Sequence, residues 1–508
     1  MLGCLRRTVL LAPGLSLLVG AAGAENPAPT SQAHRRSLAL PGRVTPPAFS
    51  PDGRLIGTVG TDGAIRLWDV ATAEPAGPPL ELGHEVTTGI WHGDTRGQLL
   101  FSPDGKSLAW WFQDKTVVWD LATRQVIGRP GGAGSRLLKG IAARSVVGFS
   151  PDGQVLLLET RDGFVFWSIT KRAPAGPPLQ GVQGGTPFPM EDPPSGIRFS
   201  PDGRLAAVPT KDGITLWDVA KGEPTGPPLS APDSLKEPAV RLAFSPNGSV
   251  LAVVVWNKVV LWDVAKGKVA GSLERGGGGA SKFFWGAESH IAFSTDGRVL
   301  AWVTNHGHDS NSGEILVWDL VGQKPLFPPL DAHRTAATVE FSPDGKTMAS
   351  QGRDRTVVLW ETASGRAIED PLLIGGKKRP NEFAGKPAFS ANGEILMVGA
   401  GGFLELWDLV RRPPQLLRRF DHLGRIRRLS PDGHTLALQQ DDLLALWDLS
   451  SRPALDEPVI VPGFDGDKIA FSPDGATLAT YKDGKTGTSI VLWDVAAVLS
   501  RARDRERD

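Results

Sequence analysis

The chain has 508 residues, of which 41% are hydrophobic and 22% are charged, and its 55 basic and 55 acidic residues give a formal net charge of zero. This composition is typical of a globular protein and excludes a chain that is disordered throughout. A nucleic-acid-binding protein usually has a basic excess or a basic stripe, and neither stands out, so nucleic acid is not expected as a partner.

The first 24 residues have the pattern of a secretory signal peptide. Arg6 and Arg7 form a short basic region, the stretch from Thr8 to Ala24 is apolar and small, and Ala22-Gly23-Ala24 fits a signal peptidase site. We therefore predict cleavage after Ala24, a linker at residues 25–36, and a mature protein that is periplasmic or extracellular. An uncleaved N-terminal anchor is the alternative, and the paired arginines leave both the Sec and the twin-arginine export routes open.

The mature chain is expected to contain no cysteine, because Cys4, the only one in the sequence, lies inside the predicted signal peptide. Disulfides, a thiol nucleophile and a thiolate metal site are therefore excluded from the exported protein. Pro13 and Gly14 interrupt the apolar run, which favours a removable signal over a permanent span of about 20 residues. No membrane span is expected in the mature chain.

A two-part motif recurs ten times along the rest of the chain. Its first part is Phe-Ser-Pro-Asp-Gly or a close variant, its second part ends in a tryptophan, and successive first parts lie 40 to 52 residues apart. The first parts begin at Phe49, Phe101, Phe149, Phe199, Phe244, Phe293, Phe341, Phe389, Leu429 and Phe471, and the tryptophans are Trp68, Trp119, Trp167, Trp217, Trp262, Trp318, Trp360, Trp407, Trp447 and Trp493. This spacing is typical of four-stranded blades in a ring.

Each part of the repeat has a physical reason. Ser-Pro-Asp-Gly predicts a tight hairpin, because Pro fixes φ, Asp hydrogen-bonds nearby backbone and Gly accepts positive φ. The following segment is apolar without alternation, as in Val253-Val254-Val255, which indicates a strand covered on both faces. A second turn leads to the tryptophan strand, and a Pro/Gly-rich segment such as residues 74–80 then predicts an edge strand, because proline cannot donate to a ladder.

These residues make the chain resemble the WD-repeat β-propeller family over residues 37–496. The resemblance implies an all-β propeller of about ten four-stranded WD-type blades. We expect one large ring; two smaller rings or an open arc are the alternatives, because ten blades exceed the usual four to eight. The resemblance also implies that residues 37–42 complete the tenth blade and remove a free sheet edge. Residues 497–508 are expected to form a charged, solvated tail.

The resemblance also implies a set of structural repeat residues. In this family a His, a Ser or Thr, an Asp and the Trp form a buried hydrogen-bonded set. The seventh repeat alone matches it fully, and its members are His333, Ser350, Asp354 and Trp360. Most other repeats lack the His, which predicts blades that depend more on packing.

The sequence offers few candidates for catalysis. No Gly-x-Ser-x-Gly elbow, His-Glu-x-x-His motif or phosphate-binding glycine loop is present, so no catalytic residue, cofactor-binding residue or cofactor is predicted. His306, His308 and Asp309 could hold a metal, but their spacing fits neither a zinc nor a calcium site well. A lengthened polar hairpin explains them more simply, and no metal ligand is predicted.

The sixth repeat contains the candidate partner-binding residues. An aromatic run precedes its first strand and its second turn is long and polar, and in a WD-type blade these two segments emerge on the same face. Aromatic anchors ringed by polar groups are the usual makeup of a binding hot spot. The alternative is that the two phenylalanines seal the groove between blades. The candidate residues are Phe283, Phe284, Trp285, His306, His308 and Asp309.

Two function classes remain after this survey. We predict a non-catalytic scaffold for protein–protein interaction, secreted or in the cell envelope, with protein partners whose identity is not encoded in any motif. The alternative is an exported propeller enzyme, a hydrolase or lyase, or a carbohydrate-binding propeller acting at the central channel. No convergent acid, base or metal set supports this alternative, so we predict that the protein is not an enzyme.

Overall fold

The computed structural model describes residues 35–40, 42–82, 98–112, 115–128, 143–160, 162–179, 182, 196–210, 213–229, 240–255, 258–274, 290–305, 313–333, 336–352, 354–375, 386–400, 403–421, 423–440, 443–450, 458–461, 464, 468–484 and 487–505. The predicted signal peptide lies outside the described residues. So do the candidate residues Phe283, Phe284, Trp285, His306, His308 and Asp309.

The described residues form ten antiparallel sheets, nine of four strands and one of five, which are the ten predicted blades. Blades 1 to 3 contain β2 (Ala48–Phe49), β3 (Leu55–Val59), β4 (Ala64–Asp69), β5 (Leu80–Glu81); β6 (Gln98–Phe101), β7 (Ser107–Phe112), β8 (Lys115–Asp120), β9 (Gln125–Gly128); and β10 (Ala143–Phe149), β11 (Val155–Thr160), β12 (Gly163–Ser168), β13 (Ala173–Pro174). Blades 4 to 6 contain β14 (Arg198–Phe199), β15 (Leu205–Thr210), β16 (Gly213–Asp218), β17 (Glu223–Pro224); β18 (Val240–Phe244), β19 (Val250–Val255), β20 (Lys258–Asp263), β21 (Lys268–Glu274); and β22 (Ile291–Phe293), β23 (Val299–Asn305), β24 (Gly313–Asp319), β25 (Lys324–Pro325), β26 (Leu330–His333). Blades 7 to 10 contain β27 (Ala336–Phe341), β28 (Thr347–Gly352), β29 (Thr356–Glu361), β30 (Leu372–Leu373); β31 (Ala388–Phe389), β32 (Ile395–Ala400), β33 (Phe403–Asp408), β34 (Gln415–Phe420); β35 (Leu423–Leu429), β36 (Thr435–Gln440), β37 (Leu443–Asp448), β38 (Val459–Ile460); and β39 (Lys468–Phe471), β40 (Thr477–Gly484), β41 (Gly487–Asp494), β1 (Arg35–Ser37).

The first turn of every blade uses the predicted Ser-Pro-Asp-Gly chemistry. In blade 1, Ser50 Oγ donates to Asp52 Oδ1 over 2.6 Å and accepts the backbone N–H of Leu55 over 2.9 Å. Gly53 completes the turn with φ of 70°, a left-handed value that favours glycine. The same Ser-to-Asp bond, or a Ser-to-Asn bond in blades 5 and 8, recurs in all ten blades. The motif therefore builds the same hairpin ten times.

The middle strands of the blades are covered on both faces, as their apolar runs predict. All six residues of β19 are buried. Each buried apolar cluster spans one pair of neighbouring blades, and the series runs without a break from blade 1 to blade 10. A tenth cluster joins Tyr481 and Ile490 of blade 10 to Ile56 and Trp68 of blade 1. The ten blades thus close into one ring.

The first strands of the blades lie at the hub of this ring and the last strands at its rim. Contacts between successive first strands place them side by side around the centre, as for β2 with β6, β14 with β18 and β22 with β27. The fourth strand is the terminal strand of its sheet in eight of the ten blades. Blade 6 differs, because β26 also pairs with β24, and so does blade 10, whose terminal strand comes from the start of the chain.

The closing strand is β1, which is antiparallel to β41 with Arg35 opposite Trp493 and Ser37 opposite Val491. Leu38 continues the pairing through its N–H, which donates to the carbonyl of Ile490 over 3.1 Å, and its side chain is buried. Strand pairing therefore begins two residues before the predicted closing segment 37–42, inside the segment predicted as a linker. The strand begins earlier because its register sets Arg35 opposite Trp493, so the pairing continues as far as the tryptophan of the last repeat.

The C-terminal segment differs from the solvated tail predicted for residues 497–508. An α-helix, α1 (Val495–Arg505), follows β41 directly. Asp494 Oδ1 accepts the backbone N–H of Ala497 over 2.9 Å and so caps the helix, in the position where other blades form a turn. Val495 and Val498 are buried against Val461 of blade 9. The boundary predicted at residue 496 thus falls inside a packed helix.

Candidate interaction site

The fully matching repeat brings its four predicted residues together in a buried network in blade 7. Ser350 Oγ lies 2.8 Å from His333 Nε2 and accepts the indole N–H of Trp360 over 2.9 Å. His333 Nδ1 lies 2.8 Å from Thr356 Oγ1 and 3.4 Å from Asp354 Oδ1. Thr356 was missed by the sequence reasoning, although its position directly after the turn and its hydroxyl make it a natural bridge between the ring and the carboxylate.

On the Nδ1 side of the ring the partners define one direction of proton donation, with a proton on His333 Nδ1 that is assigned from those partners. His333 Nδ1 then donates to Thr356 Oγ1, and Thr356 donates to Asp354 Oδ1 over 2.7 Å. Burial alone raises the pKa of Asp354, but the hydrogen bonds from His333 and Thr356 outweigh it and lower that pKa from 3.8 to about 2. Asp354 is therefore ionised and is the final acceptor in this series of hydrogen bonds.

This set has the residue types of a catalytic Ser–His–Asp triad, but its surroundings differ from those of one. A nucleophilic serine needs a free hydroxyl facing a space where substrate can bind. The side chain of Ser350 is fully buried, and its oxygen already accepts the Trp360 N–H. His333 is 3% exposed. The geometry therefore fits a polar core that fixes strands β26, β28 and β29 to one another.

The other blades differ in how they bond the indole N–H of the repeat tryptophan. Trp68 and Trp493 donate to Thr58 and Thr480, each on the neighbouring strand. The indole N–H groups of three repeat tryptophans have no acceptor within the described part of the chain, and these are Trp167, Trp217 and Trp447. Packing holds the rings of Trp167 and Trp217, and the ring of Trp447 also lies under the guanidinium of Arg418, which is consistent with blades that depend more on packing.

Blade 8 replaces the network with one buried carboxylate. Glu405, 2% exposed, accepts the backbone N–H of Gly375 over 3.1 Å and the indole N–H of Trp407 over 3.2 Å. Arg419 donates to the same carboxylate over 3.1 Å. Gly375 occupies the position that His333 holds in the preceding repeat, and because glycine has no side chain the family motif does not mark this position. A Glu two residues before the repeat tryptophan is the signal that it missed.

The Ser-Pro-Asp-Gly turns lie at one end of the hub, and most of them are close to the turn of a neighbouring blade. The side-chain amide of Gln154 in blade 3 donates to Asp104 of blade 2 over 3.2 Å. A Cβ on Gly153 would lie 2.7 Å from the same carboxyl, and one on Gly475 would lie 2.6 Å from that of Asp432. In four of the turns the serine hydrogen bond is the largest cause of a lowered aspartate pKa: Asp52, Asp202, Asp296 and Asp344. These carboxylates therefore stay charged at this end of the hub.

The turns between the third and fourth strands, which lie at the same end, also connect neighbouring blades at the rim. Arg124 in blade 2 donates to the carbonyl oxygens of Pro78, over 2.7 Å, and Ala76 in the last segment of blade 1. Gly222 of blade 4 lies against Gly176 of blade 3, where a side chain on either glycine would collide with backbone. The proline-rich segments are thus fixed to the next blade as well as to their own.

The six candidate partner-binding residues lie outside the described residues, but the strands that flank them are described. His290 precedes β22, and its carbonyl accepts the N–H of Val303 near the end of β23 over 2.9 Å. The β23–β24 hairpin stays paired up to Asn305 and Gly313. The segment that enters β22 and the turn that follows β23 therefore begin at the same end of blade 6.

A second surface, on blades 8 and 9, was missed at the sequence level. The segment 411–428 carries seven arginines and one carboxylate, Asp421, and is a basic stripe in a charge-balanced chain. The net charge of zero hides it, because acidic residues elsewhere compensate. The fold divides the stripe between the rim strand β34 and the hub strand β35.

Two further observations bear on the kind of site present. Among the described residues, no group of three or more His, Cys, Asp or Glu side chains is arranged to hold a metal ion. In the same part of the chain, every helix is too short or too polar to cross a bilayer.

Comparison with protein-family models identifies two matches. A model described as "Outer membrane protein assembly factor BamB" matches residues 49–312, which is more than half of the chain. A model described as "WD domain, G-beta repeat" matches residues 325–361, which include all four predicted members of the blade 7 network: His333, Ser350, Asp354 and Trp360.

Individual relatives agree with these matches at lower coverage. Protein tipD of Dictyostelium discoideum is 23% identical over 261 residues, which cover 42% of this chain and 41% of tipD. Echinoderm microtubule-associated protein-like 4 of Xenopus tropicalis is 31% identical over 101 residues, which cover 20% of this chain and 11% of that protein. Each match thus spans less than half of the relative.

Among solved structures, the crystal structure of a eukaryotic initiation factor is similar in fold. It has a TM-score of 0.50 and 13% sequence identity, and the superposition covers 92% of this chain and 94% of the other. Identity this low supports the fold and nothing finer. With the family models and the ten-bladed ring taken together, the chain belongs to the family of BamB-like and WD-repeat β-propellers.

Proposed function

We propose that this protein is an exported, non-catalytic scaffold that binds protein partners through the loops of a rigid ring. The observation that carries the proposal is the unbroken series of ten inter-blade clusters, including the one between blades 10 and 1. A closed ring of this kind holds its loops at fixed positions, and pre-organised surfaces lose little entropy on binding. WD and propeller repeat domains are interaction modules, which supports the same function.

The non-catalytic part of the proposal rests on the state of the Ser350, His333 and Asp354 set, which has the residue types of a catalytic triad within the described part of the chain. Ser350 is buried and engaged by Trp360, and Asp354 is committed to Thr356. A group that is already saturated by structural hydrogen bonds is poorly suited to attack a substrate. The propeller enzyme and the carbohydrate-binding propeller have no comparable supporting observation among the described residues.

Export is proposed from the N-terminal sequence and from the matching family. Arg6 and Arg7, the apolar stretch after them and the Ala22-Gly23-Ala24 site favour processing to a mature start at Glu25. The family description names an outer membrane assembly factor, which fits an envelope setting. N-terminal sequencing of the native protein tests this, and an intact Met1 on a protein recovered from the cytoplasm would contradict it.

The docking face is proposed at the end of blade 6 where β22 begins and β23 ends, because Phe283–Trp285 precede β22 in the sequence and residues 306–312 follow β23. The test is chemical cross-linking in intact cells, followed by purification of the protein and identification of its partners. The double variant Phe284→Ala with Trp285→Ala is expected to lose at least one partner at unchanged melting temperature. Val321→Ala with Leu373→Ala is the matched control, because these apolar side chains are 73% and 63% exposed on other parts of blades 6 and 7.

Two outcomes would contradict this placement. If the double variant unfolds, the aromatic residues seal the groove between blades instead of docking a partner. If every cross-linked partner is retained, the site lies elsewhere on the ring. Absence of any specific partner for the wild-type protein would contradict the scaffold function itself.

A further inference from the structure

The rim strand of blade 8 differs from those of most other blades. In blades 1, 3, 4, 6 and 7 the fourth strand has two residues and lies in a proline-containing segment, so its ladder is short. Strand β34 runs for six residues without proline, from Gln415 to Phe420, and is the terminal strand of its sheet. A terminal strand presents one row of backbone N–H and C=O groups that no strand of its own sheet satisfies.

This edge also carries exposed apolar side chains. Leu416 and Leu417 on β34 are 46% and 39% exposed, and Val410 in the preceding turn is 52% exposed. A register shift between Leu406 and Trp407 marks a bulge where β34 pairs with β33. Proteins usually protect a long edge strand with a bulge, charged side chains, proline or a covering element, and β34 has the bulge and two arginines but no covering strand in its sheet. Helix α1 supplies cover at β38 of blade 9, the next blade round the ring.

The charge around the edge is positive. Residues 411–421 contribute four arginines and one carboxylate, Asp421, and β33 beside them contributes two more carboxylates, Glu405 and Asp408, so four positive and three negative charges leave a net +1. Arg418 stacks on the ring of Trp447 in blade 9 at 4.5 Å, and Arg419 is held by Glu405 and Asp421, so both guanidinium groups are fixed in position. Arg411 is 3.6 Å from the buried carboxylate of Asp408. Arg412 is exposed and forms no ion pair within the described residues.

Blade 5 offers the other long rim strand, and it is a weaker candidate. Strand β21 has seven residues, but Val269 is the one large apolar side chain exposed on it. Its charges are also mixed, since Lys258 is 2.6 Å from Glu274 at the end of the strand.

We propose that β34 is a docking edge for an extended segment of a partner protein in which acidic and apolar residues alternate. The segment adds to blade 8 as a fifth strand and its backbone pairs with the edge. Its apolar side chains contact Leu416 on one face of the sheet, and its carboxylates face Arg418 on the other face, because the register sets these two residues opposite Trp407 and Leu406. Backbone pairing supplies affinity and the side-chain pattern supplies specificity in such strand addition. The inference rests on the proposed scaffold function and names a second surface, separate from blade 6.

A defined probe tests this edge without knowledge of the natural partner. The probe is a fluorescent eight-residue peptide that alternates Glu and Val, and its binding to the full-length protein is followed by anisotropy. One control is the same peptide with Lys in place of Glu. Two more are Glu/Val peptides with alternate backbone nitrogens methylated, the first along one edge of the extended peptide and the second along the other edge. We expect the Glu/Val peptide to bind at least about tenfold more tightly than the Lys peptide. Methylation along the edge that pairs with β34 is expected to abolish binding, and methylation along the other edge is not.

Variants then assign the binding to β34. Leu416→Ser with Leu417→Ser, and separately Arg412→Glu, are each expected to weaken binding about fivefold or more, whereas Val321→Ser on blade 6 leaves it unchanged. These side chains are exposed, so the melting temperature should not change. Hydrogen–deuterium exchange of residues 415–420 should slow when the peptide is bound.

The outcomes separate the two proposals. Equal binding of the Glu and Lys peptides, no effect of methylation, or no protection of residues 415–420 would each overturn the docking edge. Tighter binding of a single-stranded oligonucleotide, displacing the peptide in an Arg412-dependent way, would overturn it in favour of a polyanion surface. If the variants bind no peptide yet keep every cross-linked partner, the docking edge has no role in those complexes while the scaffold function stands.

Discussion

The indole N–H of Trp360 donates to Ser350 Oγ over 2.9 Å, so that a residue of β29 and a residue of β28 are joined inside blade 7. The same oxygen faces His333 Nε2 at 2.8 Å, which connects the last segment of blade 6 to this pair. One hydroxyl thus links three strands: removal of Ser350 would leave both Trp360 and His333 without this partner, and removal of Trp360 or His333 would leave the hydroxyl with one hydrogen bond fewer.

His333→Ala is expected to destabilise the protein by about 1–3 kcal/mol, because Ser350 and Thr356 lose a buried partner that water cannot replace. Urea unfolding measures the change. His434→Ala is the control, since His434 is an exposed residue beside the first turn of blade 9 and its loss should have no effect. A His333→Ala protein of full stability that loses a binding or catalytic activity would contradict the structural role.

Asp354 is expected to make stability fall in acid. Its pKa is about 2 in the folded protein against an ordinary 3.8, so its contribution is complete above about pH 4 and is lost as the pH falls through about 2. The measurement is the difference in unfolding free energy between wild type and Asp354→Asn at a series of pH values. That difference should shrink between about pH 4 and pH 2, and a difference that is constant over this range would contradict the assignment.

Gly153 and Gly105 provide a matched pair that measures the contact between first turns. Their φ values are 73° and 70°, so an alanine at either position carries the same backbone cost of about 1–2 kcal/mol. A Cβ at Gly153 would lie 2.7 Å from the Asp104 carboxyl, whereas no atom lies within 4 Å of one at Gly105. Gly153→Ala should therefore be the less stable variant by about 1 kcal/mol or more in urea unfolding. Equal stabilities would mean that the turns of blades 2 and 3 are not in close contact.

The sequence was sufficient to predict the ten blades, because the information was local and repeated. Ser50 and Asp52 specify a turn within six residues, and the same turn chemistry appears ten times at blade spacing. The blade 7 residues could be named because the seventh repeat matches the set that the resemblance to the WD-repeat family implies. The network partner Thr356 could not be named from the motif, because its role depends on distances between strands.

Features that depend on contacts across the ring were harder to predict. Glu405 is a carboxylate in an apolar run, and nothing local says that it bonds Gly375 thirty residues earlier. The pairing of β1 depends on where Trp493 lies at the far end of the chain. The helix after Asp494 was missed because its apolar face is short and charged residues surround it in the sequence. The arginines of β34 were hidden by counting charge over the whole chain.

Removal of β1 is expected to open the ring at its weakest point. A chain that begins at Gly42 lacks the pairing of Ser37 with Val491 and leaves the edge of β41 uncovered. We expect a melting temperature lower by several degrees and self-association that increases with concentration, because an unpaired edge strand recruits other strands. The control is a chain that begins at His34, which keeps β1. Two proteins that melt and elute alike would contradict a closing role for β1.

Helix α1 is expected to stabilise blades 9 and 10 through one face only, and two substitutions of the same kind distinguish that face. Val498 is 6% exposed and packs in the cluster with Val461, whereas Ala496, two residues earlier in the same helix, is exposed. Val498→Asp removes a buried valine and buries a carboxylate, so it should cost about 2–4 kcal/mol. Ala496→Asp adds the same charge in the first turn, where the helix dipole favours an anion, and should change stability by less than about 0.5 kcal/mol. Urea unfolding measures both. If both variants are as stable as the wild type, α1 does not contribute to the core of these blades; if both are equally destabilised, the added charge rather than the lost packing is responsible.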